Sequence, residues 1–242
     1  MKICVAQTRP VKGDFQSNLD HHKKLIDLAV SNGADTIIFP ELSLTGYEPT
    51  LAKELATNQD DSRFDDLQKI SDDKQITIGA GMPVKANPGI LIGMIIFQPN
   101  QPRQTYSKQY LHADETPYFI NGLQQAILTG DNNKIAIAIC YELSVPEHSE
   151  KAYKSGAEFY IASVAKSENG VEKAVKNLSR IANKYSMTVL MSNCVGQCDD
   201  FECGGKTSAW NNKGELMGQL NETDEGIIMI DTNTHLLTEK TI

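Results

Sequence analysis

Short apolar runs punctuate the chain, and several are hydrophobic at consecutive positions rather than at alternate ones. Thr36–Pro40, Ile90–Phe97 and Lys134–Cys140 are of this kind. A strand can be apolar on both faces only if both faces are covered, so the pattern calls for sheets buried between other layers. Lys2–Gln7, Ile76–Gly81, Phe159–Val164, Thr188–Asn193, Thr207–Trp210 and Gly226–Asp231 complete the strand candidates. Helical periods lie between them. Leu19, Leu25, Leu28 and Ala29 recur near helical spacing from Asn18 to Asn32, and Gly33 is a natural stop. Val171, Ala174, Leu178, Ile181, Ala182 and Tyr185 form a three-and-four stripe from Glu168 to Tyr185. Strands and helices alternate without repeats or a linker-like stretch. This predicts an α/β class and a single domain over residues 1–242.

Charge and composition narrow the partners. With 23 basic against 31 acidic residues, a net charge of −8 and no Lys/Arg cluster, no nucleic-acid partner is expected. The start, MKICVAQ, runs straight into strand-like sequence with no signal-peptide pattern, and the longest apolar run, Ile90–Phe97, is too short to span a bilayer. Five cysteines, an odd number, point to free thiols in a reducing compartment. The expectation is a cytoplasmic protein with no membrane partner.

Three positions carry chemical weight. In KIAIAIC, Ile135, Ile137 and Ile139 point one way while Ala136, Ala138 and Cys140 point the other. Pro146–Ser155 then reads as a helix ended by Gly156. Strand, turn with a nucleophile, then helix exposes a reactive atom at a sheet edge, although a buried structural cysteine explains this stretch equally simply. Glu41 follows a buried strand and Pro40, a junction where partial desolvation raises a carboxylate towards general-base range; a solvated loop acid is the ordinary alternative. Lys108 ends a short strand, with Glu115 seven residues on. An ammonium beside a thiol favours the thiolate and stabilises an oxyanion, whereas most lysines are simply solvated.

Taken together, FPELSLTGYEP, the Tyr-x-Lys-x-x-Leu of TYSKQYL, and CYELSVPE resemble the nitrilase, or carbon–nitrogen hydrolase, superfamily in order and spacing. The resemblance extends from MKICVAQ to Gly204–Ser208 and the strand near Gly226. It implies a four-layer αββα sandwich and a Glu-Lys-Cys triad carried by Glu41, Lys108 and Cys140, with Glu115 as a second glutamate that orients the lysine. Glu41 would take the thiol proton, Cys140 would attack an amide or nitrile carbon, and Lys108 with the Tyr141 backbone N–H would hold the oxyanion. The implied activity is an amidase releasing ammonia or an amine from a small linear amide, without a cofactor. A homodimer or larger assembly, with the Val171–Tyr185 helix contributing, is also implied. Alternatives are a nitrile or carbamoyl/ureido substrate on the same triad, or a catalytically silent binding or regulatory member. The chain departs from the pattern at Tyr110-Leu111, where many members place His before the leucine; here His112 follows it.

Several further residues flank these motifs. Tyr47, Tyr118 and Tyr141 are candidates for the pocket wall, and Lys166, just past the Ile161–Val164 strand, for reading a substrate carboxylate. A Cys-His pair would need His112 or His148. His148, eight residues after Cys140 on a presumed helix, is expected to point away, and its truncation to matter little. Cys194, Cys198 and Cys203 (C-x3-C-x4-C) match no common structural-zinc spacing, so they read as unrelated thiols with no metal.

Overall fold

In the computed structural model, which describes residues 1–123, 127–130 and 133–242, the apolar runs become two stacked sheets with helices outside each. The first sheet has seven strands. Their spatial order is Leu237–Thr241, Gly226–Asp231, Lys2–Gln7, Thr36–Ile38, Thr77–Lys85, Ile90–Phe97 and Gln104–Ser107. The second has six: Leu216–Gln219, Ser208–Trp210, Thr188–Ser192, Phe159–Ser163, Asn133–Ile139 and Ile127–Gly130. A hairpin of Val195–Cys198 and Phe201–Gly204 stands apart.

Three apolar layers result, and the sequence alternation assigns each side chain to one of them. Ile135, Ile137 and Ile139 point between the sheets, against Ile3, Val5, Ile38 and Met94. Ala136 and Ala138 point outward, beneath Val171, Ala174, Leu178 and Ile181 of the Glu168–Tyr185 helix. On the far side Leu19, Leu25, Ile26 and Ala29 of the Phe15–Ser31 helix cover Ile37, Phe39 and Ile78. Each fully buried aliphatic side chain stabilises this arrangement by about 1.5–3 kcal/mol. Helix, sheet, sheet, helix is therefore the layer order. Among the described residues no helix is long and apolar enough to cross a membrane.

The differences from expectation fall at element ends and edges. The strand expected to include Cys140 stops at Ile139, and Cys140 instead opens a short turn with φ of +45°. The Ile76–Gly81 candidate runs on to Lys85 through Pro83. The short strand expected to end on Lys108 is the edge strand Gln104–Ser107, one residue shorter, whereas the helix Asp65–Lys74, the strands Leu216–Gln219 and Leu237–Thr241 and the hairpin lack a strong apolar period and were not anticipated. Two hydroxyls bind the sheets face to face: Ser163 Oγ donates to Phe39 O at 2.8 Å and Ser192 Oγ to Ala6 O at 2.6 Å.

Candidate active site

Glu41 owes its place to a backbone turn wedged against a neighbouring strand. Phe39 N donates to Gly79 O at 2.8 Å and Leu44 N to Gly81 O at 3.0 Å, so residues 40–43 bulge between two fixed points. Leu42 takes the left-handed conformation (φ +52°) within the bulge. A side chain on Gly81 would collide with this backbone, since a Cβ there would lie 2.3 Å from Leu42 N and 2.6 Å from Pro40 O. His22, stacked on Phe39 with ring centroids 4.0 Å apart and hydrogen-bonded to Ser43 Oγ at 2.9 Å, supports the bulge from below.

Lys108 is fixed by Lys108 N donating to Ile92 O (2.9 Å) and by Gly122 N donating to Lys108 O (2.7 Å). Its ammonium is buried and lies between two carboxylates, 2.7 Å from Glu41 Oε1 and 2.6 Å from Glu115 Oε1. Glu115 is held in turn by the His112 backbone N–H on Oε2 (2.7 Å) and the Tyr47 hydroxyl on Oε1 (3.1 Å). Burial favours a neutral lysine, but Glu41, Cys140 and Glu115 outweigh it and push the Lys108 pKa up, so the ammonium stays charged. Glu41 is pushed up by burial, with Lys108 opposing and Glu115 reinforcing. Its Oε2 has no hydrogen-bond partner among the described residues. The Cys140 thiol is near enough to influence the titration of Glu41, without forming a hydrogen bond to that oxygen.

The thiol itself does not behave as the sequence suggested. Burial and then Glu41 push Cys140 up to about 11, and the opposing charges of Lys166 and Lys108 do not reverse this. The first reason is burial, which disfavours the charged form outright. Around the thiol the ammoniums of Lys166 and Lys108 face the carboxylates of Glu41 and Glu115, which leaves no surplus positive charge to stabilise a resting thiolate.

A second buried network lies behind the nucleophile turn. Glu142 accepts from Ile139 N (2.7 Å), Gln109 N (2.5 Å) and the Tyr106 hydroxyl (2.5 Å). It thus ties the residue before Cys140 to the residue after Lys108. His148 lies 3.0 Å from Tyr106 Oη through Nε2 and 2.9 Å from Tyr160 Oη through Nδ1. With Tyr106 donating to Glu142, the consistent assignment is a neutral imidazole that donates from Nε2 and accepts at Nδ1. His148 does point away from the thiol, as expected, but into this network rather than into solvent. Glu142, Tyr106 and Tyr160 were not foreseen as a unit; the only signal was an acidic residue two positions after the cysteine that follows the strand.

A pocket of about 550 Å³ opens over Cys140. Tyr47, Tyr118, Tyr141, Lys166 and Glu115 all line it, with Glu41 and Lys108 buried beneath its floor. His112, Asp114, Lys173 and the hairpin residues Asp199, Asp200 and Phe201 complete the wall, and of these sequence reasoning had singled out only His112, for another role. Lys166 is presented by Asn193, which accepts from Lys166 N (3.0 Å) and donates to Lys166 O (3.2 Å). Under the hairpin, Cys194, Cys198 and Cys203 are not scattered thiols: their sulfurs lie within 4.8 Å of one another.

The carbon-nitrogen hydrolase family model matches residues 2–240. A glutamine-dependent NAD(+) synthetase of Thermotoga maritima is 25% identical over 243 residues, covering 96% of this chain but 42% of that protein, so the chain spans under half of that relative. A 2-oxoglutaramate amidase of Bacillus subtilis is 27% identical over 202 residues, 82% of this chain and 78% of the relative. Among solved structures, an amidase from Nesterenkonia sp. AN1 carrying acrylamide at its active-site cysteine superposes with a TM-score of 0.87 at 22% identity. That match covers 96% of this chain and 92% of the other.

Proposed function

Because the chain belongs to the carbon–nitrogen hydrolase family, we propose that it hydrolyses a small linear amide through a thioester on Cys140. The observation that carries this reading is the ammonium of Lys108 clamped at 2.7 and 2.6 Å between buried Glu41 and Glu115, under a pocket that contains the thiol. Glu41, with a raised pKa and an unpartnered oxygen, takes the thiol proton as sulfur attacks the carbonyl carbon. Lys108 and the Tyr141 backbone N–H stabilise the oxyanion. Collapse expels ammonia with the proton held by Glu41, and leaves an acyl-thioester. Glu41 then accepts a proton from water, which attacks the thioester and releases the carboxylic acid. Glu115 fixes the direction of the Lys108 ammonium throughout.

The rim supports an acidic amide as substrate. The wall carries Asp114, Asp199 and Asp200 as well as Lys166 and Lys173, but Lys166 is the rim cation close enough to act on the Cys140 thiol, so it is the one offered to a substrate carboxylate; Tyr118 and Tyr141 supply flat apolar surface. The Bacillus relative is a 2-oxoglutaramate amidase, and the Nesterenkonia amidase has been solved with butyramide; an amide with and one without a carboxylate are therefore the two informative substrates.

Ammonia release from a panel of 2-oxoglutaramate, glutamine, butyramide, a nitrile and a ureide tests the reading. The amides are expected to turn over and to leave an acyl mass on the Cys140 peptide. Cys140→Ala should abolish turnover in a folded protein, Lys108→Ala should be comparably severe, and Glu41→Gln should cost on the order of 10²–10⁴-fold. Lys166→Ala should raise KM for the acidic amide alone. Turnover of the nitrile or ureide in preference to the amides would redirect the substrate class. No ammonia and no adduct from folded protein would make this a silent binding member.

A further inference from the structure

The three cysteines outside the proposed mechanism reach one point from three backbone segments. Cys194 follows the Thr188–Ser192 strand, and its carbonyl accepts from Gly205 N at 3.0 Å. Cys198 and Cys203 sit on opposite strands of the hairpin, in which Cys198 pairs with Phe201 and Cys203 with Gly196. Residues two apart on a strand share a face, so Cys203 projects to the same side as Phe201 and its partner Cys198. Their sulfurs are 3.0 Å apart, Cys194 Sγ is 3.6 Å from Cys198 Sγ, and all three are buried.

We propose that Cys194, Cys198 and Cys203 form a three-thiolate site for a thiophilic d¹⁰ metal ion, with Cu(I) the ion that its coordination fits. An ion bonded to three sulfurs at about 2.3 Å sets them about 4.0 Å apart in a trigonal plane. The sulfurs stand 3.0 and 3.6 Å apart in two pairs and within 4.8 Å in the third, so loading needs sulfur movements of about 1 Å or less. The ligand type excludes hard cations, since thiolates select Cu(I), Zn(II) and iron–sulfur centres. Coordination number separates the first two. Among the described residues no histidine, aspartate or glutamate joins the group; Ala165, Tyr47 and Phe201 pack on it, and the nearest recorded side-chain oxygen, Asn193 Oδ1, is 3.9 Å from Cys194 Sγ. A tetrahedral zinc ion finds no fourth protein ligand of these types there and would have to draw a water into a buried cluster, whereas three-coordinate Cu(I) is complete.

A disulfide explains the cluster less well. Three thiols cannot all pair, and a diagonal hairpin pair has Cα atoms about 7–8 Å apart, beyond ordinary disulfide reach. Thiol protons leave as the ion binds, so the buried charge of thiolate and metal partly cancels. The site also adjoins the pocket. Tyr47 touches Phe201 edge-on, with ring centroids 5.9 Å apart, and hydrogen-bonds to Glu115 by its hydroxyl. A loaded ion would therefore brace the wall formed by Asp199, Asp200 and Phe201.

The test uses the reduced full chain under anaerobic conditions, titrated with Cu(I) against a chromophoric Cu(I) chelator and separately with Zn(II) against a zinc dye. One equivalent of Cu(I) should be withdrawn from the chelator, and X-ray absorption of the wild-type protein should show three sulfurs at about 2.3 Å. Cys4→Ala and Cys140→Ala should keep the equivalent. Cys198→Ser should lose more affinity than the ~100-fold that second-shell changes cost. Failure to compete for either ion would overturn the proposal, as would binding that survives Cys198→Ser or a coordination shell of nitrogen and oxygen. Zinc held more tightly than Cu(I) would overturn the assignment of the ion. The absorption measurement needs no variant, so a misfolded mutant does not protect the proposal.

Discussion

Two glycines on one strand, Gly79 and Gly81, should separate the placement of Glu41 from the packing around it. A Cβ at Gly81 meets backbone on both sides of Glu41, at 2.3 and 2.6 Å. Restoring ordinary contact requires a shift of about 1 Å in the bulge, because backbone atoms cannot rotate aside as a side-chain terminus can. A displacement of that size at a catalytic group costs about 10²-fold in rate. It should also lengthen the 2.7 Å contact between Glu41 and Lys108. Overpacking adds about 1–3 kcal/mol of destabilisation. At this chain length that lowers Tm by about 2–12 °C. At Gly79 the added Cβ meets Ile38 Cδ1 at 2.7 Å and Met94 Sδ at 2.8 Å, both mobile ends of side chains. Gly79→Ala should thus lose some stability and keep its turnover. Ammonia release from butyramide, with melting curves on both variants, decides it. A folded Gly81→Ala protein with wild-type turnover would refute the argument that this glycine sets the position of Glu41.

Other outcomes follow from the buried polar groups and from the helical face. Tyr106→Phe removes the acceptor for His148 and one donor to Glu142, and should cost about 1–3 kcal/mol, read as a fall in urea midpoint. Truncating His148 is expected to matter little for the chemistry, but His148→Ala should lower this midpoint as well, and an unchanged midpoint would refute the network's structural role. His22 is held neutral by burial, which pushes it down to about 4. Its unfolded form takes a proton near pH 6.5, so its contribution is intact above that pH and declines as pH falls towards 4, by up to about 3 kcal/mol. Glu142, pushed up to about 7 by burial, acts in the opposite direction, so the measurement is the stability gap between wild type and His22→Gln, which should shrink over this window. Finally, the Glu168–Tyr185 helix with exposed Tyr153 packed against Tyr185 (ring centroids 5.2 Å apart, planes tilted by 31°) is proposed as a homodimer face; light scattering giving a monomer at micromolar concentration would refute it.

What the sequence disclosed and what it hid divide along physical lines. Strand bodies such as Lys2–Gln7, Ile90–Phe97 and Gly226–Asp231 coincide with the structure because burial on both faces writes itself into composition. Strand ends do not, and Cys140 shows why: its conformation is set by the turn that Glu142 ties down, not by the alternation of Ile and Ala before it. The direction of the thiol shift was equally hidden, because it depends on how deeply the fold buries the thiol and on which charges it gathers there. The cysteine cluster was hidden most completely. C-x3-C-x4-C describes a distance along the chain, and only hairpin pairing brings residues 198 and 203 to one face.

The resting state of the thiol leads to a prediction in which two readouts should diverge. Cys140 is the one cysteine of five that is not fully buried, so a neutral haloacetamide should still find it first. With a pKa near 11, only about one thiol in 10³ is ionised at pH 8. Glu41 is the second-largest cause of that upward shift, after burial. Glu41→Gln removes the negative charge and leaves a side chain of the same shape, so the thiolate fraction of the free enzyme should rise. Alkylation of Cys140 should then be maintained or faster. Amide hydrolysis should fall by about 10²–10⁴-fold, because no base remains to deliver the proton to ammonia or to activate water. Electrostatics and proton transfer thus pull the same substitution in opposite directions. Mass-resolved alkylation rates at pH 8, set beside kcat for one amide, measure both effects. A parallel fall in the two rates would mean that Glu41 must take the proton even for alkylation, and the charge-balance account of the resting thiol would be wrong.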